Sequence, residues 1–198
     1  LCRSIPVSDT ETIKVYDARA KDYAALNQDY LSSDPRLAAF IAACTANGRV
    51  LDLGCGPGTS AGVMAEAGLR VDATDASSEM TALAAQIDGV NAWQARFDEI
   101  TGDGIYDGIW ANFSLLHAPR SDMPRHLQDI HRALKPNGAF YIALKLGKGE
   151  ARDTIGRLYT YYEEDELIDL LTTAGFTPLD RSHGKGPGLD GSVSHWIS

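Results

Sequence analysis

The chain has 198 residues, 44% of them hydrophobic, with 18 Lys and Arg against 27 Asp and Glu and a formal net charge of −9. That length suits one domain with its own core, and so acidic a balance argues against a surface built to grip nucleic-acid phosphates. Cys2, Cys44 and Cys55 lie far apart, with no CxxC pair and no histidines at metal-ligand spacing, so neither a disulfide framework nor a metal centre is expected, a reducing cytoplasmic setting is, and the longest apolar run, 38–44, is too short to cross a bilayer.

Ser8 with Glu11 three residues on reads as a capping box, and Ile13, Tyr16, Ala20 and Tyr23 then recur at three- and four-residue spacing, which predicts a first helix. Asp34 and Pro35 open a second apolar-periodic stretch through Leu37, Phe40, Ile41 and Cys44 that closes at Gly48. Together 1–48 form a helical cap ahead of a core over 49–198, within a single domain spanning 1–198.

From Arg49 strands and helices alternate. Strands are predicted near 49–53, 70–74, 91–95, 107–113, 138–145, 176–182 and 192–197, and helices near 58–67, 77–86, 121–135 and 163–174. Runs such as "YDGIWANFS" and "GAFYIALKL" are apolar on both faces, as in a parallel sheet sandwiched between helical layers. The fold class is therefore α/β. The acidic run from Glu163 to Glu166 reads as favourable charge at a helix N-terminus, and "HGKGPGLDG", residues 183–191, reads as a flexible connection within a closing hairpin.

The stretch "VLDLGCGPGTSAG", from Val50, puts Gly54, Gly56 and Gly58 where a strand turns into a helix, the place where an open parallel sheet binds ligands. A dinucleotide fingerprint asks for glycine at position 59, which is Thr, and for N–H groups facing a pyrophosphate, which Pro57 lacks. S-adenosylmethionine carries no phosphate and suits a loop that offers closeness rather than anion-binding N–H groups. Asp75 ends the second strand 21 positions after Gly54. A carboxylate there accepts from both hydroxyls of a ribose in either ligand, while Ser77 or Ser78 remains free to cap the next helix.

Four segments in order, "VLDLGCGPGTSAGVMAEAGLRVDATDASSEM", "YDGIWANFSLLHAP", "LKPNGAFYIALKLG" and "EDELIDLLTTAGF", resemble the class I S-adenosylmethionine-dependent methyltransferases, in particular small stand-alone ones acting on small molecules. The resemblance runs from about Tyr16 to the C-terminus. It implies a Rossmann-like three-layer sandwich: a seven-stranded, mostly parallel sheet with an antiparallel last strand inserted beside the fifth, helices on both faces and an N-terminal helical lid. It also implies S-adenosylmethionine as cofactor. Asp52, Gly54, Cys55 and Gly56 would line its methionine and ribose portions, Asp75 would take the ribose hydroxyls, and Ala76 and Met80 would flank the adenine. Where such proteins often carry an acid after the third strand this chain reads "QARFDEI", so Arg96 and Phe97 are expected beside the adenine without an assigned hydrogen bond. Asn112 and Phe113 would wall the cleft near the cofactor.

Two readings stand for the tyrosines of the first helix: ordinary core aromatics, or, as the "YD..A..Y" pattern of similar methyltransferases implies, Tyr16 and Tyr23 laid across the cofactor. The stretch "KLGKGEARDTIGRLYTYY" carries Lys145, Lys148, Arg152 and Arg157 beside Tyr159, Tyr161 and Tyr162. It is either a solvated loop or a contact for an anionic or aromatic small-molecule substrate. His117, after the fourth strand on the cleft side, is the candidate general base, against the alternative of a structural histidine. Cys55 lacks a paired base and reads as a small lining residue. A nicotinamide-dependent oxidoreductase and a cofactor-binding protein without turnover remain alternatives, and a monomer or homodimer without nucleic-acid or membrane partners is expected.

Overall fold

The computed structural model describes residues 9–31 and 34–198, the side chains of 26–31 excepted. Helix α1 (Thr10–Leu31) is opened by Asp9, whose carboxylate accepts from the Thr12 N–H at 3.1 Å; Ser8 lies outside the described residues. Helix α2 (Pro35–Ala43) starts as expected: Asp34 accepts from the Arg36 N–H at 2.9 Å, and Pro35 holds the first helical position, where no N–H partner is needed.

The core follows as β1 (Arg49–Leu53), α3 (Thr59–Glu66), β2 (Arg70–Asp75), α4 (Ser78–Ala84), β3 (Val90–Gln94), β4 (Tyr106–Asn112), α5 (Met123–Ala133) and β5 (Leu134–Lys145). A short hairpin, β6 (Glu150–Arg152) and β7 (Leu158–Thr160), precedes α6 (Glu164–Thr173), and β8 (His183–Pro187) and β9 (Val193–Ile197) close the chain. The seven-stranded sheet has the order β3-β2-β1-β4-β5-β9-β8. Strands β1 to β5 pair in parallel, and β9 runs antiparallel between β5 and β8.

Both sheet faces are covered, which is why the central strands read as continuous apolar runs. On one face Leu51, Leu53, Ile109, Ile142 and Leu144 pack with Leu127 and Ile130 of α5 and Leu167 of α6. On the other, Val50, Val71 and Trp110 pack with Phe40 of α2, Met64 of α3 and Ala84 of α4. The order in which strands are added reverses between β1 and β4, which run parallel, so their carboxyl ends open a crevice at the switch point.

Two expectations need correction. The sixth strand of the sheet lies at His183–Pro187, not over 176–182. Phe176 instead ends α6, its N–H bonding the Leu171 carbonyl at 3.0 Å while its ring packs on Phe140. The glycines of 183–187 are thus strand residues rather than a flexible connection. At Gly184 the reason is space: a Cβ would fall 2.2 Å from the Trp196 indole, which lies across the strand. Likewise 150–160, read as loop, pairs as the β6–β7 hairpin.

Candidate active site

At the end of β1 the chain turns through Gly54 (φ 72°) and Gly56 (φ 54°), a left-handed backbone that glycine adopts without strain. Space adds to the requirement at Gly54, where a Cβ would fall 2.3 Å from the Ser114 Cβ. The loop's N–H groups are committed within the protein. Those of Gly54 and Cys55 donate to the Thr74 carbonyl at 2.7 and 2.9 Å, that of Gly58 to the Cys55 carbonyl at 3.0 Å, and that of Gly56 to Asp75 Oδ2 at 2.9 Å. Pro57 has none to give.

Asp75, at the end of β2, also accepts from the Ser77 N–H at 2.9 Å, while Ser77 itself caps α4 through the Met80 N–H at 3.1 Å. Asp75 and Asp52, on neighbouring strands, both line a cavity of about 820 Å³ at the strand ends. Burial, with Asp75 close by, pushes the Asp52 carboxyl up to about 8, and burial raises Asp75 as well. Asp52 Oδ2 and Asn112 Oδ1 are buried without a hydrogen-bond partner. Two buried carboxyl groups beside a loop whose N–H groups from Gly54 to Gly58 are engaged suit a cationic or hydroxyl-bearing group better than a phosphate.

Ala76, Met80 and Phe97 continue the wall from the Asp75 side, and Phe113 (φ 53°) and Ser114 from the end of β4. Helix α1 lies along the cavity with Tyr16 and Tyr23, which pack edge to face at 5.7 Å. It is tied down on both sides. Asp17 accepts from Ser77 Oγ at 2.6 Å, and the Leu158 N–H donates to Thr12 Oγ1 at 2.8 Å. Arg152 meets Asp9 at 2.7 Å.

At the other end the Tyr16 hydroxyl sits 2.7 Å from His117 Nε2, while His117 Nδ1 donates to the Leu158 carbonyl at 2.6 Å. That second bond fixes the tautomer, so Nε2 accepts the Tyr16 proton. Arg157 Nη1 donates to the same hydroxyl oxygen at 3.0 Å and pairs with Asp153 at 2.7 Å. Burial, then the Leu158 bond working against it, then the Arg157 and Lys145 charges leave the imidazole pKa lowered to about 4, so His117 is neutral near pH 7. Burial raises the Tyr16 hydroxyl well above its ordinary value. Cys55 remains a thiol, because burial and the two carboxylates push it up.

A family model described as a methyltransferase domain matches residues 23–180. The chain belongs to the class I S-adenosylmethionine-dependent methyltransferases. It is 35% identical over 135 residues to a cypemycin N-terminal methyltransferase from Streptomyces sp., covering 65% of this chain and 55% of that one. The chain spans about half the length of the curated relatives it matches. Among solved structures, the Burkholderia thailandensis 1,6-didemethyltoxoflavin-N1-methyltransferase, with 1,6-didemethyltoxoflavin and S-adenosylhomocysteine bound, superposes with a TM-score of 0.77 at 25% identity, covering 100% of this chain and 91% of that one. The [4+2]-cyclase SpnF shares the fold alone, at a TM-score of 0.69 and 23% identity over 91% of this chain and 76% of that one.

The cofactor-site residues and the catalytic candidate singled out from sequence line this cavity with one exception. Tyr16, Tyr23, Asp52, Gly54, Cys55 and Gly56 line the cavity, as do Asp75, Ala76, Met80, Phe97, Asn112, Phe113 and His117. Arg96 does not; its guanidinium faces Asp98 and Glu99 at 3.4 and 3.6 Å. Of the basic stretch, Lys145, Arg157 and Tyr159 line the cavity, whereas Arg152 and Lys148 do not: Arg152 pairs with Asp9, itself a lining residue, and Lys148 with Glu163. No local pattern marks Trp196 or 185–189 as wall residues, yet they line the cavity. Their place depends on the β5–β9 register, which sets Trp196 opposite Lys145.

Proposed function

We propose that the protein transfers a methyl group from S-adenosylmethionine to a small-molecule acceptor held at the His117 end of the cavity. The observation that carries this reading is the chemistry of the glycine loop: bare backbone, the N–H groups from Gly54 to Gly58 already engaged within the protein, and two buried carboxyl groups alongside. A nicotinamide dinucleotide would bring its pyrophosphate against Asp52 and Asp75. S-adenosylmethionine would bring hydroxyls to Asp75 and a cationic amino-acid end to Asp52, whose orphaned oxygen fits such a partner. Ala76, Met80 and Phe97 give the base a largely apolar bed. When bound, the cofactor supplies a methyl group already activated on a sulfonium.

The chain's own task is then to align the acceptor and exclude water. Tyr16 and Tyr23 of α1 roof the cavity while Trp196 and Phe113 wall it. His117, expected as a direct general base, has its free nitrogen covered by Tyr16, so an acceptor proton reaches it through the Tyr16 oxygen, with Arg157 holding that oxygen in place. The relatives are named for methylation of different acceptors, and a cyclase shares the fold, so turnover is the deciding measurement. Formation of S-adenosylhomocysteine from S-adenosylmethionine across a panel of small acceptors tests the reading. Tight binding of both cofactor forms with no turnover on any acceptor would favour a binding protein without transferase activity.

A further inference from the structure

Lys145 ends β5 and lines the cavity, and it is 8% exposed. Among the described residues its ammonium has neither a carboxylate at ion-pair distance nor a hydrogen-bond acceptor; its close neighbour is the Tyr159 ring, 3.8 Å from Nζ to the centroid. Arg157, also buried, and Arg36, half-buried, line the same cavity and are both matched. Arg157 holds Asp153 at 2.7 Å and Arg36 holds Asp34 at 2.8 Å. Asp190, whose field also reaches Lys145, is engaged by Ser192 through its N–H and hydroxyl at 3.1 and 2.6 Å. A buried ammonium supported by an aromatic face alone is under-compensated relative to one with an anion beside it.

The surroundings keep the ammonium accessible. Trp196 is its cross-strand partner, and that indole leans over Gly184 of the next strand instead of over Lys145. A Cβ on Gly188 would lie 3.4 Å from Nζ, so the bare backbone there leaves the approach open. The cavity is therefore polarised. Asp52 and Asp75 mark the glycine-loop end, and Lys145 and Arg157 the end where Tyr16 meets His117. An acceptor with an anionic group would be drawn to the second end, which would present its neutral remainder to the middle of the cavity.

We propose that the methyl acceptor carries a compact oxyanion, a carboxylate or a phosphonate or phosphate group, and that Lys145 is the residue that holds it. This rests on the methyltransferase reading for the word acceptor, whereas the anion site itself does not.

The experiment uses the full chain with [13C]lysine side chains, saturated with S-adenosylhomocysteine, and follows the lysine Cε signals by NMR. Acetate and methylphosphonate are titrated separately at ionic strength held constant with chloride. The Lys145 signal, identified by its absence from Lys145→Met and Lys145→Arg, is expected to shift saturably with a midpoint in the millimolar range, while exposed Lys148 follows ionic strength alone. Thermal stabilisation by the same anions is expected to persist in Lys145→Arg and to vanish in Lys145→Met, and the tighter of the two anions names the source. A Lys145 signal that moves no more than that of Lys148 overturns the proposal. So does a signal already saturated by S-adenosylhomocysteine, since the ammonium would then serve that ligand's own carboxylate. If S-adenosylhomocysteine does not bind but the anions still shift Lys145, the anion site stands and the methyltransferase reading falls.

Discussion

The hydroxyl of Tyr16 and Nε2 of His117 lie 2.7 Å apart although 101 residues separate them in sequence, so one hydrogen bond joins the lid helix to the wall that follows β4. Tyr16→Phe removes that bond and leaves the imidazole nitrogen and an Arg157 N–H without their partner. The expected result is a loss of about 1–3 kcal/mol in stability, together with a fall in turnover of at least about tenfold if proton transfer contributes. S-adenosylhomocysteine affinity should change little, because the hydroxyl faces the acceptor end. Urea denaturation, turnover and calorimetry on the one variant separate these effects.

His117 also gives stability a pH dependence of known sign. Its folded pKa of about 4 lies below its ordinary value of 6.5, so the unfolded chain takes up a proton first. The stabilisation from keeping the ring neutral is complete above pH 6.5 and is lost as pH falls towards 4, an upper bound of about 3 kcal/mol. Urea midpoints measured at steps from pH 7 to pH 4 should fall in the wild type and fall less steeply in His117→Asn.

Asp52 acts in the opposite direction. Its carboxyl is pushed up to about 8, so its favourable protonated state is complete below the ordinary 3.8 and is lost as pH rises towards 8. Asp52→Asn should therefore flatten the decline in stability between about pH 4 and pH 8. If a cationic amino group binds beside it, the wild type should release a proton on binding S-adenosylhomocysteine at pH 7 and the variant should not. Calorimetry in two buffers of different ionisation enthalpy reads that proton directly.

Gly54→Ala places a Cβ 2.3 Å from that of Ser114 on a backbone at φ 72°. Relieving the clash in Gly54→Ala/Ser114→Gly leaves the backbone strain, which costs about 1 kcal/mol or more. Both variants should melt below the wild type, with the double variant between the single one and the parent. Equal melting temperatures for all three would remove the steric account of this turn.

The parts legible in the sequence were those governed by local pattern. Asp34 with Pro35 opens a helix, Ser77 caps another, and the apolar runs of β1 and β4 require cover on both faces, so the layered α/β class and the glycine loop followed from neighbours in the chain, whereas the seven-stranded order came from the family resemblance. What escaped was register. Nothing local distinguishes Arg152, which pins the lid at Asp9, from Arg157, which is 2% exposed against Tyr16; five positions apart on a hairpin, they differ by which way the strand turns. The glycines at 184 and 186 looked like a loop because the feature that makes one of them necessary, the Trp196 indole lying over Gly184, comes from the facing strand. His117 was found by position, but its partner Tyr16 lies on an element that only the tertiary fold brings near.

The most direct test is calorimetric titration of S-adenosylhomocysteine into the folded protein and into Asp75→Ala, with NADH as the competing ligand. The expected result is one site of micromolar affinity for S-adenosylhomocysteine, weakened about a hundredfold or more in the variant as its charge-assisted hydrogen bonds are lost, and no heat from NADH. Saturable NADH binding with none for S-adenosylhomocysteine, or equal affinity in both proteins, would contradict the placement of the cofactor between the glycine loop and Asp75.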